Sequence, residues 1–96
     1  MIPLYELAMV RGWRCEICGF ATYDLQRHHV FIHRMKGKPE LDDERNLQIV
    51  CSVCHQKRAN SRENRCNFWK IQLKRYPDLE DWYNGLPIKV KERFDN

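Results

Sequence analysis

Two Cys-x-x-Cys elements, Cys15-Glu-Ile-Cys18-Gly19 and Cys51-Ser-Val-Cys54, constrain this 96-residue chain more than any other feature. Together they supply four thiolates, the tetrahedral set that a structural zinc prefers. Gly19 behind the first pair suits a tight turn that aims backbone amides at the sulfurs. A redox motif of the thioredoxin kind needs a single pair at a strand-to-helix turn, and core-filling cysteines need no such spacing. Two pairs converge better on zinc. The pairs are separated by residues 19–50, whereas simple zinc ribbons use about 15–20 residues. Doubling a loop costs only ~0.6 kcal/mol, while structural zinc contributes on the order of 10 kcal/mol. The long insert is therefore thermodynamically cheap, and its contents matter.

The rest of the composition bounds the class. A chain this short buries only about two-thirds of its unfolded surface, so a metal staple meets a real need. It is 43% hydrophobic and carries three Trp, four Tyr and four Phe. That is too apolar for a disordered tail, yet no apolar run approaches the ~20 residues of a membrane span. Nothing points to a membrane partner or an organic cofactor. A fifth cysteine, Cys66, makes the count odd and weakens a disulfide scaffold. The start MIPLYELAMVRGW lacks the pattern of a secretory leader, so a reducing, cytoplasmic compartment is expected.

Four segments follow. Residues 1–14 read as a short amphipathic helix or arm. Residues 15–45 carry cysteine and histidine and end in a polar loop, Lys36-Gly37-Lys38-Pro39-Glu40. Within them Leu25-Gln-Arg-His28-His29-Val-Phe-Ile32 is β-branched and aromatic and reads as a strand. Residues 46–60 read as a helix, with Leu47, Val50, Cys51 and Cys54 at helical spacing, and Asn46 suits its N-cap. Residues 61–76 read as a second helix, with Cys66, Trp69, Leu73 and Tyr76 on an apolar stripe and a stop at Pro77. Cys66 is then a core thiol, and Trp69, Tyr76, Trp82 and Tyr83 are core aromatics. Residues 78–85 read as a short third helix.

The insert carries His28, His29 and His33, and His55 directly follows Cys54. Strand alternation sends His28 and His29 to opposite sides. On a helix His55 sits at the edge of the cysteine face and reaches a wall other than the zinc.

The order Cys-x-x-Cys, His28-His29-Val30, Asn46-Leu47, Cys51-Ser-Val-Cys54-His55 resembles the HNH endonucleases over residues 15–58. The resemblance implies an α+β fold: a small zinc-stapled ββα-metal core, residues 15–58, in a single domain of residues 1–96 with a C-terminal helical extension, 61–96. It implies His29 as the general base, Asn46 as the residue that pins the loop and helps hold His29, and His28 and His55 as ligands of a catalytic divalent ion. His28 stands where the family more often has Asp, which weakens Mg²⁺ and favours softer ions such as Mn²⁺ or Ni²⁺. Cys15, Cys18, Cys51 and Cys54 would hold the structural Zn²⁺. Many small proteins of this type come from phages and mobile elements.

DNA is the implied partner, and the net charge of +4 suits it. Candidate phosphate contacts are Arg27, Arg34, Lys57, Arg58, Arg62, Arg65 and Lys70. Residues 61–76 carry five cations against Glu63 alone, so this helix is either a phosphate-facing element or a solvated face. The expected function is metal-dependent DNA cleavage or nicking. The competing reading is a non-catalytic zinc-containing DNA-binding module, which needs none of the three histidines. Oligomeric state is not legible.

Overall fold

The computed structural model describes residues 3–32 and 39–86, and for Pro39 and Glu40 the backbone alone. His33 and the candidate contact Arg34 lie outside the described residues, as do residues 87–96 of the expected extension. The architecture is a small mixed α+β fold. Strand β1 (Leu25–His29) pairs antiparallel with β2 (Leu47–Cys51), from Leu25 opposite Cys51 to His29 opposite Leu47. Helix α1 (Leu4–Val10) precedes the hairpin, and α2 (Ser52–Lys57) follows β2 directly. Two longer-range supports come next, α3 (Arg62–Arg75) and α4 (Leu79–Asn84).

Where a helix was expected over 46–60, the structure has a strand and then a helix. All five residues of β2 are buried. A strand buried on both sides reads as an unbroken apolar run, and Leu47, Val50, Cys51 and Cys54 then match a helical template by coincidence. Helix α2 begins only at Ser52, with the Cys51 Sγ accepting from the Cys54 amide as its N-cap. Asn46 is not the cap of α2. The strand expected to run to Ile32 stops at His29, because the backbone of Phe31 and Ile32 turns its amides onto the Asn46 side chain instead of a neighbouring strand.

Helix α3 matches its expected span. Ser61 caps it by accepting from the Asn64 amide, and Tyr76, held extended before Pro77, ends it. Its buried face differs from the expected stripe. Asn64, Phe68 and Gln72 are buried, Trp69 and Tyr76 are half-buried, and Cys66 is exposed. Polarity hid this face, since Asn64 and Gln72 go inside to satisfy backbone carbonyls: Ala59 for Asn64, Glu44 and Arg45 for Gln72.

Two apolar clusters result. Leu7, Ala8, Leu25, Leu47, Ile49 and Val50 pack with Cys15, Cys51 and Cys54. Val30, Phe31, Ile32, Leu41, Phe68 and Leu86 form the second, with Trp69, Trp82 and Tyr83 against it. Glu16 and Arg11 tie the elements together. The Glu16 carboxylate accepts from Arg11 at 2.9 Å, Arg75 at 2.5 Å and the Ile49 amide at 2.7 Å. Arg11 also donates to the Leu47 and Glu44 carbonyls. Arg75 is thereby committed to Glu16 rather than to a phosphate.

Candidate active site and metal centre

The first cysteine pair sits in a knuckle closed by an Arg14–Ala21 bridge and by Cys15 donating to the Phe20 carbonyl at 3.0 Å. Gly19 turns it with φ +77°, a conformation that L side chains rarely adopt. The second pair straddles a junction, with Cys51 ending β2 and Cys54 in the first turn of α2. This brings all four Sγ atoms within 4.8 Å of one another, with Cys18 and Cys51 at 3.9 Å. Four sulfurs around a tetrahedral zinc stand about 3.8 Å apart, given Zn–S of ~2.3 Å. The donor set fits a structural zinc.

Backbone amides support the same conclusion. Ile17 and Cys18 donate to the Cys15 Sγ at 3.4 and 3.5 Å, and Cys54 donates to the Cys51 Sγ at 3.5 Å. Burial alone would push the Cys15 thiol up. The amides of Cys18, Cys51 and Ile17 outweigh it and bring the thiol down to about 7. Burial, reinforced by the sulfurs of Cys18, Cys51 and Cys15, pushes Cys54 up to about 12. Crowded sulfurs, three of them on buried cysteines, that cannot all ionise by themselves are the environment that a bound cation relieves. Among the described residues, this is the group of three or more His, Cys, Asp or Glu that could hold an ion.

The described histidines lie beyond this cluster, two on the hairpin and His55 in the last turn of α2. Alternation along β1 places Gln26 and His28 on one side and His29 on the other. The Gln26 Oε1 accepts from the His55 Nδ1. His28, buried, donates from Nε2 to the Ala59 carbonyl at 3.1 Å. The two imidazoles stand edge to face with centroids 5.1 Å apart. Each has one nitrogen committed to an oxygen that only accepts, so the acceptor nitrogens are Nδ1 of His28 and Nε2 of His55. This is how metal-binding histidines are usually oriented. Two neighbouring imidazoles are a donor set that suits a divalent ion of intermediate softness.

His28 is also fastened from behind. The Ala59 carbonyl accepts a second bond from Asn64 Nδ2 at 3.0 Å, and Asn64 exchanges two bonds with Gln48, the residue opposite His28 in the hairpin. On the other side of β1, His29 Nε2 donates to Asp42 Oδ1 at 2.8 Å, which leaves Nδ1 as its acceptor nitrogen. Asn46 is fully buried. Its Oδ1 accepts from Phe31 and Ile32 at 2.9 and 3.2 Å, and its Nδ2 donates to the Ile32 and Leu41 carbonyls at 2.9 Å each.

The sequence reading named the histidines and Asn46 but missed Gln26, Ala59, Asn64 and Asp42. Gln26 carried a usable signal, being two residues before His28 and hence on its face of the strand. The others lie 31 and 13 residues from the histidines they hold or act through a carbonyl, so no local pattern marks them. Of the candidate phosphate contacts, Lys57, Arg58, Arg62 and Lys70 are exposed and Arg27 and Arg65 half-buried. Lys57 and Arg58 border a cleft with Ser61, Asn64 and Asn67.

Compared with known proteins, residues 15–61 match the family model described as HNH endonuclease, just under half of the chain. No curated protein and no solved structure matches it. A match of this kind points to nuclease or DNA-binding function. No described helix is long and apolar enough to cross a membrane.

Proposed function

We propose that this chain, whose residues 15–61 match the HNH endonuclease family model, is a metal-dependent endonuclease that hydrolyses or nicks DNA. The observation that carries the reading is the pair His28–His55, 5.1 Å apart with one nitrogen of each ring already committed, one strand position from a histidine held by a carboxylate. A DNA-binding module has no need of three imidazoles with fixed tautomers.

His29 is the general base. Its Nδ1 takes a proton from water as the oxygen attacks phosphorus, and the Asp42 carboxylate faces the imidazolium that forms. His28 and His55 would hold the divalent ion, which supplies charge relief at the scissile phosphate and the departing 3′ oxygen. Asn46 keeps the turn after β1 in place beside His29. Cys15, Cys18, Cys51 and Cys54 would hold a separate structural zinc. Lys57, Arg58, Arg62 and Lys70 are the exposed cations offered to the DNA backbone, and Arg27 and Arg65 are the half-buried candidates. Residues 1–96 act as one domain, in a reducing cytoplasm.

The test is nicking of supercoiled plasmid after mild chelation, with Mn²⁺, Ni²⁺ or Mg²⁺ added back. Two imidazoles hold an ion less firmly than four thiolates, so activity should vanish and return while the fold and the zinc persist. Metal-stimulated nicking that survives His28→Ala with His55→Ala would refute the ligand assignment. Salt-dependent DNA binding with no cleavage under any ion would favour the non-catalytic module.

A further inference from the structure

We infer that Asp42 is the positioning residue of the site, holding His29 in the tautomer and orientation that general-base catalysis requires. This rests on the assignment of His29 as base made above.

The geometry carries the inference. Asp42 Oδ1 lies 2.8 Å from His29 Nε2, and the two side chains are only 20% and 14% exposed. An ionised carboxylate accepts and never donates, so Nε2 must carry the ring proton and Nδ1 must be the basic nitrogen. A neutral imidazole with no such partner divides between two tautomers and rotates about its side-chain bonds. When Nδ1 takes a proton from water, the positive ring is already paired with a negative charge.

The surroundings show that Asp42 is held in place for this contact. It ends a short 3-10 turn, Pro39–Asp42, whose Leu41 is fully buried. On one side of it the Leu41 carbonyl is taken by Asn46 Nδ2 at 2.9 Å. On the other, the Asp43 carbonyl is taken by the Asn46 amide at 2.9 Å, and the Asp43 carboxylate is bound by Arg45. Asn46 thus clamps the backbone on both sides of Asp42. A chain of contacts runs from Asn46 through this turn to the carboxylate and on to His29, which gives Asn46 a physical route to the base without touching it.

The adjacent acids divide the work. Asp43 caps the following turn and binds Arg45, whereas Asp42 faces His29. A fully exposed pair would be worth little and would bias the ring only weakly, whereas this shielded one should fix the tautomer, and that is the property to measure.

The experiment is two-bond ¹H–¹⁵N spectroscopy of the zinc-loaded protein near pH 8, where histidine is generally neutral, with single-turnover plasmid nicking alongside. The parent should show His29 protonated at Nε2. Asp42→Asn can donate to that nitrogen, so the ring should shift toward the Nδ1-protonated form. Cleavage should fall by ~10²–10⁴-fold, while zinc content, divalent-ion affinity and DNA affinity stay within about twofold. Asp42→Glu should restore part of the rate. A parent ring protonated at Nδ1 overturns the inference whatever the variants do. So does an Asp42→Asn protein that cleaves normally, or one whose loss follows metal or DNA affinity. His29→Ala separates the two claims. If it cleaves as the parent does, the general-base reading itself fails; if it is inactive while Asp42→Asn is active, only the role of Asp42 fails.

Discussion

Asn46 spends both polar atoms of its buried side chain on the backbone of Phe31, Ile32 and Leu41. Truncation to alanine strands four backbone groups in a dry interior, each costing about 1–3 kcal/mol. Asn46→Ala is therefore expected to lose on the order of 3 kcal/mol or more, read as a lower urea midpoint of the zinc-loaded protein. Glu16 is comparable. Its carboxylate, 6% exposed, balances Arg11 and Arg75 and accepts the Ile49 amide. Removing one member of a buried ion pair leaves uncompensated charge, so Glu16→Gln should cost about 3 kcal/mol by the same assay. A change below about 0.5 kcal/mol in either protein would show that its network does not hold together the segments it bridges.

At the scale of elements, the second cysteine pair is the instructive case. Its spacing was legible, because metal ligation demands it. Its secondary structure was not, because β2 is buried on both sides and its Leu47, Val50 and Cys51 mimic a helical face. The face of α3 was misread for the opposite reason, since its buried positions include Asn64 and Gln72, polar residues recruited by carbonyls far along the chain. Two cysteines now separate cleanly. Cys54→Ser removes a buried member of the sulfur cluster and should unfold or aggregate the protein, whereas exposed Cys66→Ser should keep its fold and about one zinc per chain. Elemental analysis and circular dichroism decide between them. Arg45 joins the turn before β2 to the start of α4 through Asp43 and Asp78. The guanidinium holds the Asp78 carboxyl below the usual carboxylate range. A depressed folded pKa means that the contribution is present above the unfolded value near 4 and is lost as pH falls through the folded one. The stability difference between the parent and Asp78→Asn should thus be small, constant through neutral pH, and vanish in acid below about pH 4.

For the molecule as a whole, local spacing picked out the candidate ligands, while tertiary pairing determined how their side chains are held. The four cysteines and three histidines could be picked out because ligand and base chemistry restricts residue type. Gln26, Asn64 and Asp42 could not, because an amide or carboxylate that orients a distant ring looks like any other polar residue in sequence. The proposed activity needs two kinds of metal site and one base, and the base is its centre. Single-turnover nicking by the parent and His29→Ala tests that most directly, with zinc content and DNA affinity measured on both. The expected result is a folded, zinc-bound, DNA-binding His29→Ala protein whose cleavage is slower by ~10²–10⁴-fold. A His29→Ala protein that nicks plasmid at the parent's rate would contradict it.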